Sequence, residues 1–140
     1  MPRTITLAAA LPRAPSRLYA MYLDPSEHSA FTGSTVTIAN HAGAPFRAFD
    51  GALTGTILQV VPNRLIVQSW RSTEFAKRDL DSTLILSFWP DPAGCRIELT
   101  HVNVADTDFA GVSEGWSKYY WLPWRAYLEK SARSKVKKQT

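Results

Sequence analysis

The feature that most constrains the fold is a run of large aromatic residues near the end of the chain. Residues 114–128 read EGWSKYYWLPWRAYL and hold three of the five tryptophans and three of the five tyrosines. A helix advances about 100° per residue, so most apolar side chains of this region fall within roughly 140° of arc. The sequence therefore predicts an amphipathic C-terminal helix, bent at Pro123, whose apolar stripe is formed by Phe109, Val112, Trp116, Tyr119, Tyr120, Pro123, Trp124 and Tyr127.

Two large residues of the same region lie outside this stripe. Trp121 and Leu128 flank the polar side of the predicted helix, and we expect them to form an exposed apolar patch. Exposed patches of this kind often mark a surface for a protein partner. A homodimer is the simplest partner to propose.

The middle of the chain shows a different period. In CRIELTHV (95–102) and TLILSFW (83–89), apolar and polar residues alternate, which is typical of antiparallel strands with one buried face. Turn residues separate most of the alternating segments. Strands are predicted at 4–11, 34–39, 45–50, 53–61, 64–71, 81–89 and 95–103.

Two short helices are predicted after the first strand. The segment PSRLYAMYL (15–23) forms the first of them. Asp24 can cap the second, with Glu27 in a capping box and Gly33 as its stop. The order of strand, two helices, six strands and long helix predicts an α+β fold whose last helix lies in the concavity of the sheet. Wide aromatic side chains between a helix and a curved sheet can leave a cavity.

Composition predicts one domain and a tail. The chain has 140 residues, 45% of them hydrophobic, which suits a single domain over residues 1–129. Residues 130–140 hold five Lys or Arg and no acid, whereas the other 129 residues hold eleven bases and twelve acids. The basic excess therefore belongs to the C-terminal segment, for which we predict a flexible, solvated tail and no nucleic-acid partner. We expect no signal peptide, no membrane insertion and a cytoplasmic location. The single cysteine, Cys95, suits that location.

Four segments in this order resemble a known family: FRAFDGALTG (46–55), PNRLIVQSWR (62–71), LILSFWPDPAGCRIELTHVNV (84–104) and GWSKYYWLPWRAYL (115–128). They are similar to the C-terminal-type domain of homologues of the activator of the heat-shock protein 90 ATPase, within the START-like (SRPBCC) superfamily. The resemblance covers nearly the whole chain. It implies a helix-grip fold, in which a curved antiparallel sheet wraps a long C-terminal helix. It also implies an apolar ligand between sheet and helix, and it suggests a role in the stress response.

The residues expected to line that cavity come from the inward faces of the strands and of the last helix. His101 lies on the apolar face of its strand, and the resemblance suggests that Gln68 points inward. For each polar member, an ordinary role in the core is the alternative. The predicted lining is Gln68, Trp70, Leu86, Phe88, Leu99, His101, Trp116, Tyr119, Tyr120 and Trp124.

Other chemistry finds little support in the sequence. His28 and His41 are predicted to be solvated, and no spacing of histidines and carboxylates predicts a metal site. Motifs for nucleophilic catalysis, phosphate loops and dinucleotides are missing, so no cofactor is expected. General acid–base catalysis by His101, Gln68, Tyr119, Tyr120 or Arg71 stays open.

Three functions follow, in order of preference. The first is a non-catalytic domain that binds a small apolar molecule. The second is a chaperone-associated interaction protein that acts through its outer surface and basic tail and has a solid core. The third is a cofactor-free enzyme of the cyclase or isomerase type.

Overall fold

Six strands form one curved antiparallel sheet in the order β1-β6-β5-β4-β3-β2. The computed structural model describes the backbone of residues 1–139 and the side chains of residues 1–132. Buried residues alternate with half-buried or exposed ones along β4, β5 and β6, as the period of two predicts. The strands are β1 (Arg3–Leu11), β2 (Pro45–Ala48), β3 (Leu53–Val61), β4 (Leu65–Ser72), β5 (Ser82–Asp91) and β6 (Gly94–Val104).

Helices α1 (Pro15–Leu23) and α2 (Pro25–Thr32) follow the first strand, as predicted. The Asp24 carboxylate accepts a 2.8 Å bond from the backbone N–H of Ser26. Gly33 ends α2 in the left-handed region, at φ 76°, which glycine adopts without a steric penalty. The predicted capping box is incomplete because the Glu27 carboxylate pairs instead with Arg17 of α1, at 2.7 Å.

Two strand predictions need correction. Residues 34–39 form no strand: only Thr37 pairs with Arg47, through two backbone bonds of 2.8 and 3.0 Å. Val36 and Ile38 are buried, so the alternation of residues 34–39 correctly indicated which side chains face inward. The neighbouring strand β2 is only four residues long, however, and offers few backbone groups with which this segment can pair. The strand predicted at 45–50 stops at Ala48 because Phe49 and Asp50 turn to φ 51° and 55°.

A long C-terminal helix begins at Phe109 and lies against the concave face of the sheet. It consists of α3 (Phe109–Gly115), a π-helical segment (Trp116–Trp121) and α4 (Leu122–Gln139). In the π-helical segment the N–H of Leu122 bonds to the carbonyl of Ser117, five residues back. Pro123 follows directly. Its ring would clash with the carbonyl four residues earlier in a regular α-helix, and a wider turn relieves that clash.

The wide turn changes which residues of this helix face inward. It brings Trp116 and Trp121 onto one face, where their rings stack with centroids 5.7 Å apart. Trp121 is 8% exposed and Leu128 2%, whereas Tyr119 is 47% exposed. The predicted exposed patch of Trp121 and Leu128 is therefore wrong, because a constant 100° per residue does not hold through the π-helical segment.

The helices and the sheet enclose one apolar core. Phe31 of α2 stacks on Trp124 with ring centroids 4.3 Å apart, and Tyr19 of α1 meets Phe88 edge-on at 5.8 Å. Over the residues described here, no helix is long and apolar enough to cross a membrane. The boundary predicted at residue 130 falls within α4, and the side chains of residues 133–140 lie outside the described part, so the division into domain and tail stays a prediction.

Candidate functional site

A cavity of about 480 Å³ lies between β3, β4 and the first half of the C-terminal helix. Five aromatic side chains contribute to its walls. Three of them, Trp70, Trp116 and Tyr120, are buried, whereas Tyr119 lies at the exposed side. The lining residues are Phe49, Ala52, Leu53, Trp70, Ser72, Thr73, Glu74, Asp108, Gly111, Val112, Glu114, Gly115, Trp116, Lys118, Tyr119 and Tyr120.

The structure divides the ten sequence-predicted site residues into two groups. Four line the cavity: Trp70, Trp116, Tyr119 and Tyr120. The other six are buried in the core beside it and do not line it: Gln68, Leu86, Phe88, Leu99, His101 and Trp124. Side chains of α1 and α2 pack in the core beside the cavity, where Tyr22 bonds to Gln68 and Phe31 stacks on Trp124.

His101 is held in a chain of hydrogen bonds between the sheet and the C-terminal helix. The indole N–H of Trp116 can only donate, so it donates to Nδ1 of His101 at 3.3 Å. The proton then lies on Nε2, which donates to Ser82 Oγ at 2.8 Å. Ser82 in turn donates to the Trp70 carbonyl at 2.6 Å. Burial lowers the pKa of His101 to about 3, so this imidazole is neutral at pH 7.

His28 is also buried, which corrects the prediction that it is solvated. Its Nδ1 lies 2.7 Å from the Tyr22 carbonyl, which can only accept, so Nδ1 carries the proton. The Tyr120 hydroxyl then donates to Nε2, at 3.0 Å. Burial lowers the pKa of His28 to about 4, against the opposing effect of the bond to Tyr22. The position of His28 beneath Phe31, with ring centroids 5.0 Å apart, depends on how α2 packs and is not visible in the sequence.

A second polar pair completes this buried region. The Tyr22 hydroxyl donates to Oε1 of Gln68 at 2.6 Å. Burial raises the pKa of both Tyr22 and Tyr120, so both phenols stay protonated. Gln68 Nε2 and the indole N–H groups of Trp70, Trp121 and Trp124 have no hydrogen-bond partner among the residues described. Of these four groups, only Trp70 belongs to a residue that lines the cavity.

The rim of the cavity is acidic. Glu74, Asp108 and Glu114 lie in its lining with one lysine, Lys118. Ser72 donates to the Asp108 carboxylate at 2.5 Å. Within the described side chains, none of the three carboxylates has a cationic group within 4 Å. The sequence did not identify this group because Glu74 lies in the loop after β4, Asp108 directly before α3 and Glu114 within α3, so no local pattern relates them.

The cavity also borders two stretches of irregular backbone. Phe49 lies at φ 51°, an uncommon conformation for a bulky residue, and its ring meets Tyr119 edge-on at 5.6 Å. On the opposite wall, Trp116, Tyr119 and Tyr120 come from the π-helical segment. Both features are frequent at functional sites.

The arrangement suits binding better than acid–base chemistry. Both buried imidazoles are neutral at pH 7, have their two nitrogens bonded inside the protein, and lie outside the cavity lining. Arg71 donates to the carbonyls of Ala76 and Asp79, 2.7 Å away in each case, and so orders the loop after β4. No group of three His, Cys, Asp or Glu side chains converges on a common point in the region that the structure describes.

Comparisons with known proteins agree on one family. A protein-family model described as "Activator of Hsp90 ATPase homolog 1-like protein" matches residues 12–129. An "Activator of 90 kDa heat shock protein ATPase homolog" from Dictyostelium discoideum is 25% identical over 117 residues, which make up 83% of this chain and 30% of that protein. The chain spans 30 to 35% of the length of the curated relatives it matches first.

Solved structures share the fold. An HSP90 activator from Plasmodium falciparum superposes with a TM-score of 0.81 at 18% identity, over 91% of this chain and 96% of that one. The solution structure of an Aha1 dimer from Colwellia psychrerythraea gives a TM-score of 0.70 at 14% identity, over 83% and 89% of the two chains. These likenesses confirm the predicted helix-grip fold.

Proposed function

Because the chain belongs to the family of Activator of Hsp90 ATPase homolog 1-like proteins, and because its START-like fold holds a cavity, we propose that it is a non-catalytic domain that binds a small apolar ligand between sheet and helix. The observation that carries this proposal is the cavity itself. Its volume of about 480 Å³ lies within the range of about 300–1,000 Å³ that is common for small-molecule sites.

The walls supply most of the binding free energy. Aromatic and aliphatic side chains from β3, β4 and the helix face one another across the cavity. Removing apolar surface from water stabilises a complex by roughly 25 cal/mol per Å² before the entropy of association is subtracted.

A neutral fluorescent probe tests this proposal. N-phenyl-1-naphthylamine should bind with micromolar affinity and gain fluorescence, since it is apolar and aromatic. Ala52→Phe places a ring in the cavity, because Ala52 is part of the lining, and should weaken binding at least about tenfold. Ala126→Phe is the matched control, because Ala126 is exposed on α4, and it should bind like the wild type.

Two results would contradict the proposal. One is a wild-type protein that does not bind the probe at all. The other is an Ala52→Phe variant that binds it with unchanged affinity. Far-UV circular dichroism of each variant shows whether the fold is retained, and native mass spectrometry of the purified protein shows whether a small molecule is carried along.

The names of the relatives favour a second candidate, which is contact with a 90-kDa heat-shock protein. Under this candidate the outer surface and the basic C-terminal segment provide the contact. Adding the protein to a purified 90-kDa heat-shock protein should then raise its ATPase rate, and removal of residues 131–140 should reduce that effect while probe binding is unchanged. An ATPase rate that does not respond to the full chain would exclude this candidate.

A further inference from the structure

We propose that the cavity selects organic cations, that is, molecules with an apolar body and an ammonium or amidinium group. This inference rests on the proposed ligand-binding function and assigns the chemical class of the ligand. It combines two features of the lining: aromatic rings that can hold a cation by their faces, and carboxylates at the rim that attract it.

The aromatic walls provide the first argument. Phe49, Trp70 and Tyr119 line the cavity together with Trp116 and Tyr120. Faces of aromatic rings carry negative electrostatic potential, and clusters of such rings bind ammonium groups. The protein already places one cation in this way, because Nζ of Lys118 lies 5.2 Å from the centroid of the Tyr119 ring.

The charge of the rim provides the second argument. Glu74, Asp108 and Glu114 contribute three negative charges and Lys118 one positive charge, so the lining has a formal charge of −2. Residues 1–129 together have a net charge of only −1, from eleven bases and twelve acids. Acidic side chains are therefore concentrated at the cavity. None of these carboxylates has a cationic partner within 4 Å among the side chains described.

Trp70 forms an apolar part of the wall. It is 5% exposed and lines the cavity, but its indole Nε1 is fully buried and does not face the open space. The ring therefore contributes apolar surface, and the preference for a cation rests on the aromatic walls and on the carboxylates of the rim.

Three probes with the same apolar body test the inference: 1-naphthylmethylamine (a cation), 1-naphthylmethanol (neutral) and 1-naphthoate (an anion). Calorimetric titration of the full chain should show the cation binding roughly tenfold tighter than the alcohol, because carboxylates at close range act in a medium of reduced dielectric constant. The anion should bind more weakly than the alcohol. Raising the salt concentration from about 20 mM to about 500 mM should reduce the difference in affinity between the cation and the alcohol, because salt screens the carboxylates.

Substitutions of the rim carboxylates should change the preference for the cation over the alcohol and leave the apolar walls of the cavity unchanged. The double variant Glu74→Gln/Glu114→Gln should bring the cation and the alcohol to nearly equal affinity. Glu98→Gln/Glu129→Gln removes two exposed carboxylates outside the lining and should keep the wild-type preference. Lys118→Met should strengthen cation binding a fewfold. Binding of the neutral alcohol shows that each variant is folded.

The outcomes separate this inference from the proposed function. Equal affinity of the wild type for cation and alcohol, or tightest binding of the anion, would overturn the cation preference and leave an apolar binding site. A preference that survives in Glu74→Gln/Glu114→Gln would also overturn it. Failure of all three probes and of the neutral fluorescent probe to bind the wild type would overturn the proposed function itself.

Discussion

Two buried imidazoles should make the stability of this protein depend on pH in the mildly acidic range. His28 and His101 are both fully buried, and burial lowers their pKa values to about 4 and about 3. An unfolded chain has an ordinary histidine pKa of about 6.5. Below that pH the unfolded state therefore binds more protons than the folded state. The free energy of unfolding should fall as the pH falls from about 6.5 towards the folded-state values.

The size of the effect follows from these values. Each proton that only the unfolded state binds lowers stability by about 1.4 kcal/mol per pH unit. Between about pH 7 and pH 5, each imidazole then removes on the order of 2 kcal/mol. Two such sites remove a large part of the roughly 5–15 kcal/mol that stabilises an ordinary domain. Carboxylates change little over this range, since their ordinary pKa values lie near 4.

Urea denaturation followed by tryptophan fluorescence measures the effect, because Trp70, Trp116, Trp121 and Trp124 are buried and become exposed on unfolding. The midpoint is recorded at half-unit steps from about pH 7 to about pH 5. His28→Gln and His101→Gln should each remove about half of the pH dependence, whatever their stability at pH 7. His41→Gln is the matched control, because His41 is exposed in a turn, and it should keep the wild-type slope.

Two results would refute this account. One is a free energy of unfolding that stays flat between pH 7 and pH 5, which would mean that the imidazoles ionise equally in both states. The other is a wild-type slope in both single variants, which would assign the pH dependence to other groups. Imidazole chemical shifts in NMR spectra give the folded-state pKa values directly.

Three further substitutions probe the packing that positions the cavity, each measured by urea denaturation at pH 7. Gly55→Ala would place a Cβ in steric overlap with the Ser69 carbonyl oxygen, so β3 and β4 must move apart and the free energy of unfolding should fall by about 3 kcal/mol. A change below about 1 kcal/mol would contradict this close approach of the two strands. Trp124→Ala should lower the free energy of unfolding by about 3–5 kcal/mol because Trp124 is fully buried. Leu122→Ala is the control: Leu122 is 62% exposed, so the change should be less than about 0.5 kcal/mol. Similar effects of the two substitutions would show that the helix turns a different face to the sheet. Ser82→Ala leaves Nε2–H of His101 without its acceptor and should lower stability by about 1–3 kcal/mol, and an unchanged midpoint would mean that another group takes over the bond.

Local pattern was enough to predict much of the architecture. The alternation in 83–89 and 95–102 predicted the strands β5 and β6 and their buried faces, because a strand turns successive side chains to opposite sides. Asp24 and Gly33 marked the ends of α2 because capping depends on a few adjacent residues. The concentration of Trp and Tyr at the C-terminus predicted the helix that packs against the sheet.

The site was predicted only in part. Trp70, Trp116, Tyr119 and Tyr120 line the cavity, and all four were expected there from their periodicity or from the family resemblance. The acidic rim comes from the loop after β4 and from the beginning of the helix. Its members, Glu74, Asp108 and Glu114, are far apart in sequence, so no local pattern relates them.

The periodicity of apolar residues and the helix-capping residues were thus enough to predict most of the strands, the short helices and the aromatic helix. These elements depend on residues that are close together in the sequence. Packing between distant segments established the rest. The clash expected between Pro123 and a regular helix is relieved by a wider turn, and that turn buries Trp121 and Leu128 and leaves Tyr119 at the cavity. The docking of α2 buries His28 against Tyr120. Side chains of α1 and α2 join the core beside the cavity, which lies at the end near β3 and β4.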